Sequence, residues 1–139
     1  MARIRLDYAA MRDVSTLEAV RLLEKVTDYV HTKAVLNVVA GPYSTGRLAR
    51  SMRKRVWITT TGAAGEVWSD LPQAQWVNDG TRPHYIQPRG NWPLRFFWRK
   101  VGKTVRLAYV RHPGQRAQHF MTGPMVEAAT RYNLIVTIN

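Results

Sequence analysis

The stretch that most limits how this chain can fold runs from Ser15 to Pro42. Leu17, Val20, Leu23, Val26, Val30, Ala34 and Val38 recur at steps of three and four, while Arg21, Lys25, Asp28 and Lys33 fall mostly elsewhere. An α-helix repeats every 3.6 residues, so this spacing gathers the apolar side chains on one face and leaves the other wet. Ser15 and Glu18 stand at capping-box spacing, where each side chain satisfies an orphan amide of the first turn. Gly41-Pro42 ends the element, because glycine accepts the left-handed cap and proline cannot continue the ladder. A long helix with one apolar face needs a second layer to cover it.

The remaining segments supply that layer. Residues 1–13 read as an N-terminal arm or first strand. After Tyr43 a short second helix is expected, capped by Ser44 or Thr45. It turns Leu48 and Met52 inward and Arg47, Arg50 and Arg53 outward. VWITTTGAAGEVWS then alternates and breaks at Gly62 to Gly65, which predicts a tight hairpin with Trp57 and Trp68 as partners across it. Residues 72–93 carry four prolines and an Asn78-Asp79-Gly80 turn signal, and read as a long loop on the edge of the domain. LRFFWRK and TVRLAYV form a second hairpin about Gly102-Lys103. From Gln115 to Tyr132 the pattern is helical, with Phe120, Val126 and Ala129 available to the core and a break or kink at Gly123-Pro124. LIVTI closes the chain as a strand. The expected architecture is α+β in a single domain, 1–139: an antiparallel sheet of hairpins with one long N-terminal helix packed across it, a short second helix, and a C-terminal helix followed by a strand.

Composition agrees with a folded chain: 45% of the 139 residues are hydrophobic and 22% charged. No window approaches the roughly 18 consecutive apolar residues of a membrane span, and MARIRLDYAAMRD lacks the apolar core of a signal peptide, so no membrane partner is expected. The absence of cysteine excludes disulfides, thiolate metal sites and cysteine nucleophiles. The largest imbalance is electrostatic. Lys and Arg number 21 against 9 Asp and Glu, a formal charge of +12, which admits nucleic acid or an acidic protein surface as partner.

Candidate chemistry is sparse. His31, His84, His112 and His119 are the only histidines, and none stands at the paired spacing of a zinc site. A histidine base would also need a carboxylate to orient it and a nucleophile to activate, and no such frame is visible. Asp70 and Asp79 read as turn formers. No catalytic, cofactor or metal site is therefore expected. Arg47, Arg50, Arg53, Lys54 and Arg55 form one basic cluster. In a second, Trp92, Phe96, Phe97 and Trp98 sit among Arg89, Arg95, Arg99, Lys100 and Lys103. Such interleaving suits stacking and charge on a nucleic-acid strand. Alternation turns Phe96 and Trp98 one way and Phe97 the other, with at least one face expected in the core. Trp76 and Tyr85 flank the expected loop, where large apolar residues mark a protein contact or tuck back onto the domain. In HPGQRAQHF, residues 112–120, Pro113-Gly114 is expected to stop a strand, His112 to hold the turn by a local hydrogen bond, and Phe120 to enter the core.

The order of Tyr43, Thr45-Gly46, Leu48 and Ser51, then a hairpin, then Asn78-Asp79-Gly80-Thr81, Ile86-Gln87-Pro88, Leu94-Arg95-Phe96, His112-Pro113-Gly114 and Phe120 resembles the neck and tail-completion proteins of long-tailed bacteriophages. The match spans roughly residues 15 to 130. The resemblance implies a non-enzymatic virion protein at the head-to-tail joint, assembled in the host cytoplasm, acting as tail-completion or tail-terminator subunit. Its implied partners are further copies of itself in a ring, expected to be a hexamer, the tail tube protein, and the head connector or head-closure protein, with genomic DNA passing through the lumen. Rings of this kind use contacts between unlike faces of identical subunits. The interface is expected at Trp76, Asn78, Asp79, Gly80, Thr81, His84 and Tyr85, with Arg47, Arg50 and Arg53 as a basic contact and His112, Pro113 and Gly114 as a structural turn. The alternative is a basic nucleic-acid-binding module. A small basic enzyme using His84 or His112 ranks below both.

Overall fold

The apolar stripe becomes a 25-residue helix, α1 (Thr16–Ala40), and buries Ala19, Leu23, Val26, Thr27, Val30, Ala34 and Val38 on one side. The computed structural model describes residues 2–9, 16–41, 46–60 and 62–138. Ser15, Pro42, Tyr43, Ser44 and Thr45, with the capping and stop roles expected of them, lie outside the described residues. Leu17, expected on the buried face, is exposed at the start of the helix.

The layer that covers α1 is a four-stranded antiparallel sheet formed by β1 (Ala2–Ala9), β2 (Met52–Thr59), β3 (Gly62–Ser69) and β8 (Ile135–Ile138), in the order β2-β3-β1-β8. The first strand therefore pairs on both sides, with β3 and with β8, and the two ends of the chain meet in one sheet. The chain is α+β, as expected. Its core joins the buried face of α1 to Met52, Ala63 and Val67 of the sheet, Ala74, and Phe120, Met121, Met125, Ala128 and Leu134 near the C-terminus. Fully burying one Leu or Val side chain contributes about 1.5–3 kcal/mol, so Leu23, Val26 and Val30 alone anchor the helix to the sheet.

The hairpin between β2 and β3 turns earlier than its glycines suggested. Gly62, Ala63, Ala64 and Gly65 are not the turn; all four pair in β3, opposite Thr59, Ile58, Trp57 and Val56. The reason is steric. A Cβ on Gly65 would lie 2.5 Å from Thr27 Oγ1, so a strand of small residues is what lets α1 approach the sheet this closely. Trp57 and Trp68 are not directly opposed either: the register sets Trp57 against Ala64 and Trp68 against Arg53. Between them Arg55 lies over both rings, with centroid distances of 4.9 and 5.4 Å, while its Nε donates to the buried Glu66 carboxylate at 2.8 Å.

Thr27 Oγ1 is buried under Gly65 and has no hydrogen-bond partner among the described residues. An unpaired buried hydroxyl costs roughly 1–3 kcal/mol. Thr27→Val keeps the shape and removes the polar atom, and is expected to raise stability by about 1 kcal/mol, seen as a higher denaturation midpoint at unchanged m-value. A lower midpoint would mean that the hydroxyl is satisfied.

Three shorter helices complete the body. α2 (Arg47–Ser51) leads straight into β2. Leu48 packs against the core from α2, and Met52 is buried one residue later as the first residue of that strand. α3 (Pro72–Asp79) replaces the first part of the expected loop: Pro72 occupies the first turn, where its missing N–H is no loss. α4 (Thr122–Tyr132) starts later than expected, so Gly123-Pro124 is its first turn and not a kink. Pro124, Met125 and Ala128 form its buried face, whereas Val126 is exposed. Tyr29 on α1 donates to Glu127 on α4 at 2.8 Å, and this bond to the carboxylate holds the phenol above its ordinary pKa.

Candidate interaction surface

Between α3 and α4 the chain leaves the body as one long ribbon. β4 (His84–Ile86) pairs with β7 (Val110–His112), and β5 (Leu94–Trp98) pairs with β6 (Lys103–Leu107), all antiparallel. The segment 72–93 is thus not an edge loop but a helix followed by the outgoing half of this ribbon. The register is interrupted once, where residues 87–93 bulge opposite only Ala108 and Tyr109. At the tip, Gly102 adopts φ +68°, and the amides of Val101 and Gly102 both bond to the Trp98 carbonyl. From Asp79 to His119 no residue is buried. The expectation that one face of Leu94–Trp98 belongs to the core is therefore corrected.

The base of the ribbon joins two motifs far apart in sequence. Thr81 and Gln115 exchange backbone bonds of 2.8 and 3.0 Å. Gly114, at φ +86°, lies so close to the opposite strand that a Cβ would stand 2.3 Å from the Thr81 carbonyl oxygen. Gly80 is equally crowded, with a Cβ 2.6 Å from the Gln115 oxygen. His112 Nδ1 accepts from the Gly114 amide at 3.1 Å, so that nitrogen carries no proton. Across the ribbon His84 stands opposite His112, ring centroids 5.1 Å apart, and its Nδ1–H donates to the Arg82 carbonyl at 2.8 Å. The residues 112–120 then form a joint: Gln118 and His119 donate to the carbonyls of Val77 and Asn78 at 3.0 Å, and Phe120 enters the core.

Asn78, expected at an interface, is instead buried. Its Oδ1 accepts from the amides of Met121 and Thr122 at 3.1 and 3.2 Å, and its Nδ2 donates to Asp79 at 2.7 Å. The amide orientation follows from chemistry, since backbone N–H groups only donate. Asn78 thereby caps α4 from a different element. Trp76 is exposed on α3 beside Asp79, and with Val38, Leu48, Leu71, Val77 and Arg47 it borders a shallow cleft of about 360 Å³. Arg50 and Arg53 are exposed on α2 and β2, away from the ribbon. Thr81, His84, Tyr85, His112, Pro113 and Gly114 come together at the ribbon base; of the three arginines, Arg47 borders the cleft that Gln115 of the base also lines.

Alternation gives the outer hairpin two unlike faces. Leu94, Phe96 and Trp98 pair with Leu107, Val105 and Lys103 on one side, and the Phe96 and Trp98 rings lean on each other at 43°, centroids 6.4 Å apart. On the other, Arg95 stands directly opposite Arg106, and exposed Phe97 opposite Thr104. From Gly80 to Val126 the sequence contains no Asp or Glu, while Thr81 to Gln115 holds eight Lys and Arg, two-thirds of the formal net charge. The acid-free run was legible in the sequence; the opposition of Arg95 and Arg106 was not. No group of three or more His, Cys, Asp or Glu among the described residues is placed to hold a metal, and no helix among them is long and apolar enough to cross a membrane. Comparison of the chain with protein-family models, curated proteins and solved structures finds no match.

Proposed function

We propose that the chain is a non-enzymatic structural subunit of the head-to-tail joint of a long-tailed phage, closing into a ring that caps the tail tube and docks on the head connector. The observation that carries this reading is the ribbon. Tyr85, Trp92, Phe97 and Tyr109 are each more than half exposed on an element that no other described element covers. Large apolar side chains on a projecting element favour a protein neighbour, and a projecting arm that meets a different surface of the next copy is the head-to-tail geometry that closes rings. The motif order described above supports the same reading.

The purified protein, sized by light scattering without nucleic acid, is expected to form a discrete oligomer at both low and high salt, because apolar contacts resist screening. Joining Thr81 to Gly114 by a short glycine link removes the ribbon but no buried residue, and is expected to leave a folded monomer. A chain that stays monomeric at all concentrations and does not sediment with isolated tail tubes would refute the reading.

A further inference from the structure

We propose that the cationic face and tip of the outer hairpin, Arg95 and Arg106 with Arg99, Lys100 and Lys103, bind the phosphate backbone of duplex DNA. This goes beyond the ring assignment, since it concerns the cations that flank Phe97 and the tip, and a partner of a different class.

The outer hairpin places charge where a protein alone gains nothing. Like charges directly opposite on paired strands destabilise the pair, and Arg95 and Arg106 stand in that relation. No ion pair with a described residue relieves them, and no acid exists in the chain between Gly80 and Val126. On the body, two neighbouring cations of β2 are paired, Lys54 with Asp28 and Arg55 with Glu66. Arg99 and Lys100 lie in the four-residue turn and Lys103 stands at its exit, opposite Trp98, so positive charge on the arginine face is joined by charge at the end of the hairpin. An anion between Arg95 and Arg106 converts their repulsion into two charge-assisted contacts.

Shape selects the polyanion. Two paired strands lie about 5 Å apart, and five residues extend roughly 17 Å. The major groove of B-DNA, about 12 Å wide, admits such a two-stranded ribbon between its phosphate walls. Both faces and the tip stand clear of the core. Single strands are held instead in concave channels with stacking platforms, and this element is a protrusion. Phosphate contacts carry no sequence information, so the binding is sequence-independent.

The test is fluorescence anisotropy of the full-length protein with a labelled mixed-sequence duplex over a salt series. Five phosphate contacts predict a log–log salt slope of about −4 to −5, a loss of roughly 500-fold in affinity between 50 and 200 mM salt. Arg95→Gln with Arg106→Gln is expected to reduce the slope by about 2 and to weaken binding at 50 mM salt by roughly tenfold. Both residues lie outside the core and repel one another, so a thermal melt no lower than the parent's certifies the fold. Arg50→Gln with Arg53→Gln, on the body, is expected to leave the slope unchanged. The proposal fails if duplex is not bound at 50 mM salt or if the body variant loses as much as the ribbon variant. It fails equally if single strands, polyglutamate or anionic vesicles bind more tightly than duplex. Failure here leaves the oligomer in nucleic-acid-free buffer as it was, so the two readings fall separately.

Discussion

Asn78→Ala is expected to destabilise the fold by about 2–4 kcal/mol, although a side chain in a turn-like Asn-Asp-Gly sequence gives no hint of that weight. Losing a helix cap costs about 0.5–2 kcal/mol, and leaving buried donors unsatisfied adds about 1–3 kcal/mol. Both apply here, since the amides of Met121 and Thr122 would lose their acceptor and Met121 is fully buried beside Phe120. The loss should appear as a lower denaturation midpoint and as faster amide exchange in the first turn of α4. Asn78→Asp combined with Asp79→Asn keeps an acceptor at 78, places negative charge at a helix N-terminus, and retains a donor beside it. That pair is expected to recover most of the stability. If the single alanine variant is as stable as the parent, Asn78 does not cap α4.

Gly114→Ala is expected to open the base of the ribbon while leaving the sheet intact. A φ of +86° with an L side chain costs about 1–3 kcal/mol. The added Cβ would also stand 2.3 Å from a backbone oxygen that already bonds Gln115, so the strands must part. Opening by about 3 kcal/mol lowers hydrogen-exchange protection at Thr81 and Gln115 by roughly 100-fold, while amides of β3 keep theirs. Oligomer formation and DNA binding, which both use the ribbon, should fall with it. Gly90→Ala is the matched control, since nothing lies within 4 Å of its Cβ and its φ is not positive. Equal protection in Gly114→Ala and Gly90→Ala would mean that the base tolerates a side chain and the two motifs are not locked together.

The segments whose structure departs from their local sequence signals share a cause. GAAG looks like a turn because small residues and glycines permit one; here the same smallness serves a strand that must lie against α1, and only the packed helix reveals the demand. Gly123-Pro124 looks like a helix break because proline is costly inside a helix. It sits in the first turn, where the cost vanishes, because Asn78 from another element sets where α4 begins. Residues 72–93 look like a loop because prolines and short alternations are weak signals alone. They become α3 and half a ribbon once the return strand at residues 103–112 is beside them. Of the candidate interface, His84 and Tyr85 are exposed on that ribbon, whereas Asn78 is inside the fold.

The long amphipathic helix, the presence of hairpins, the α+β class, the burial of Phe120 and the two basic clusters are legible in the chain's residues alone. These depend on periodicity, local turn chemistry and composition, which act over a few residues. Packing of the folded chain is what sets the N-terminal strand between β3 and β8, Gly80-Thr81 against His112-Pro113-Gly114, Asn78 as cap of a helix 43 residues away, and Arg95 opposite Arg106. Each of these is a contact between distant segments, selected by close packing and by the requirement that buried backbone groups find partners. Neither condition can be evaluated until the chain has closed on itself.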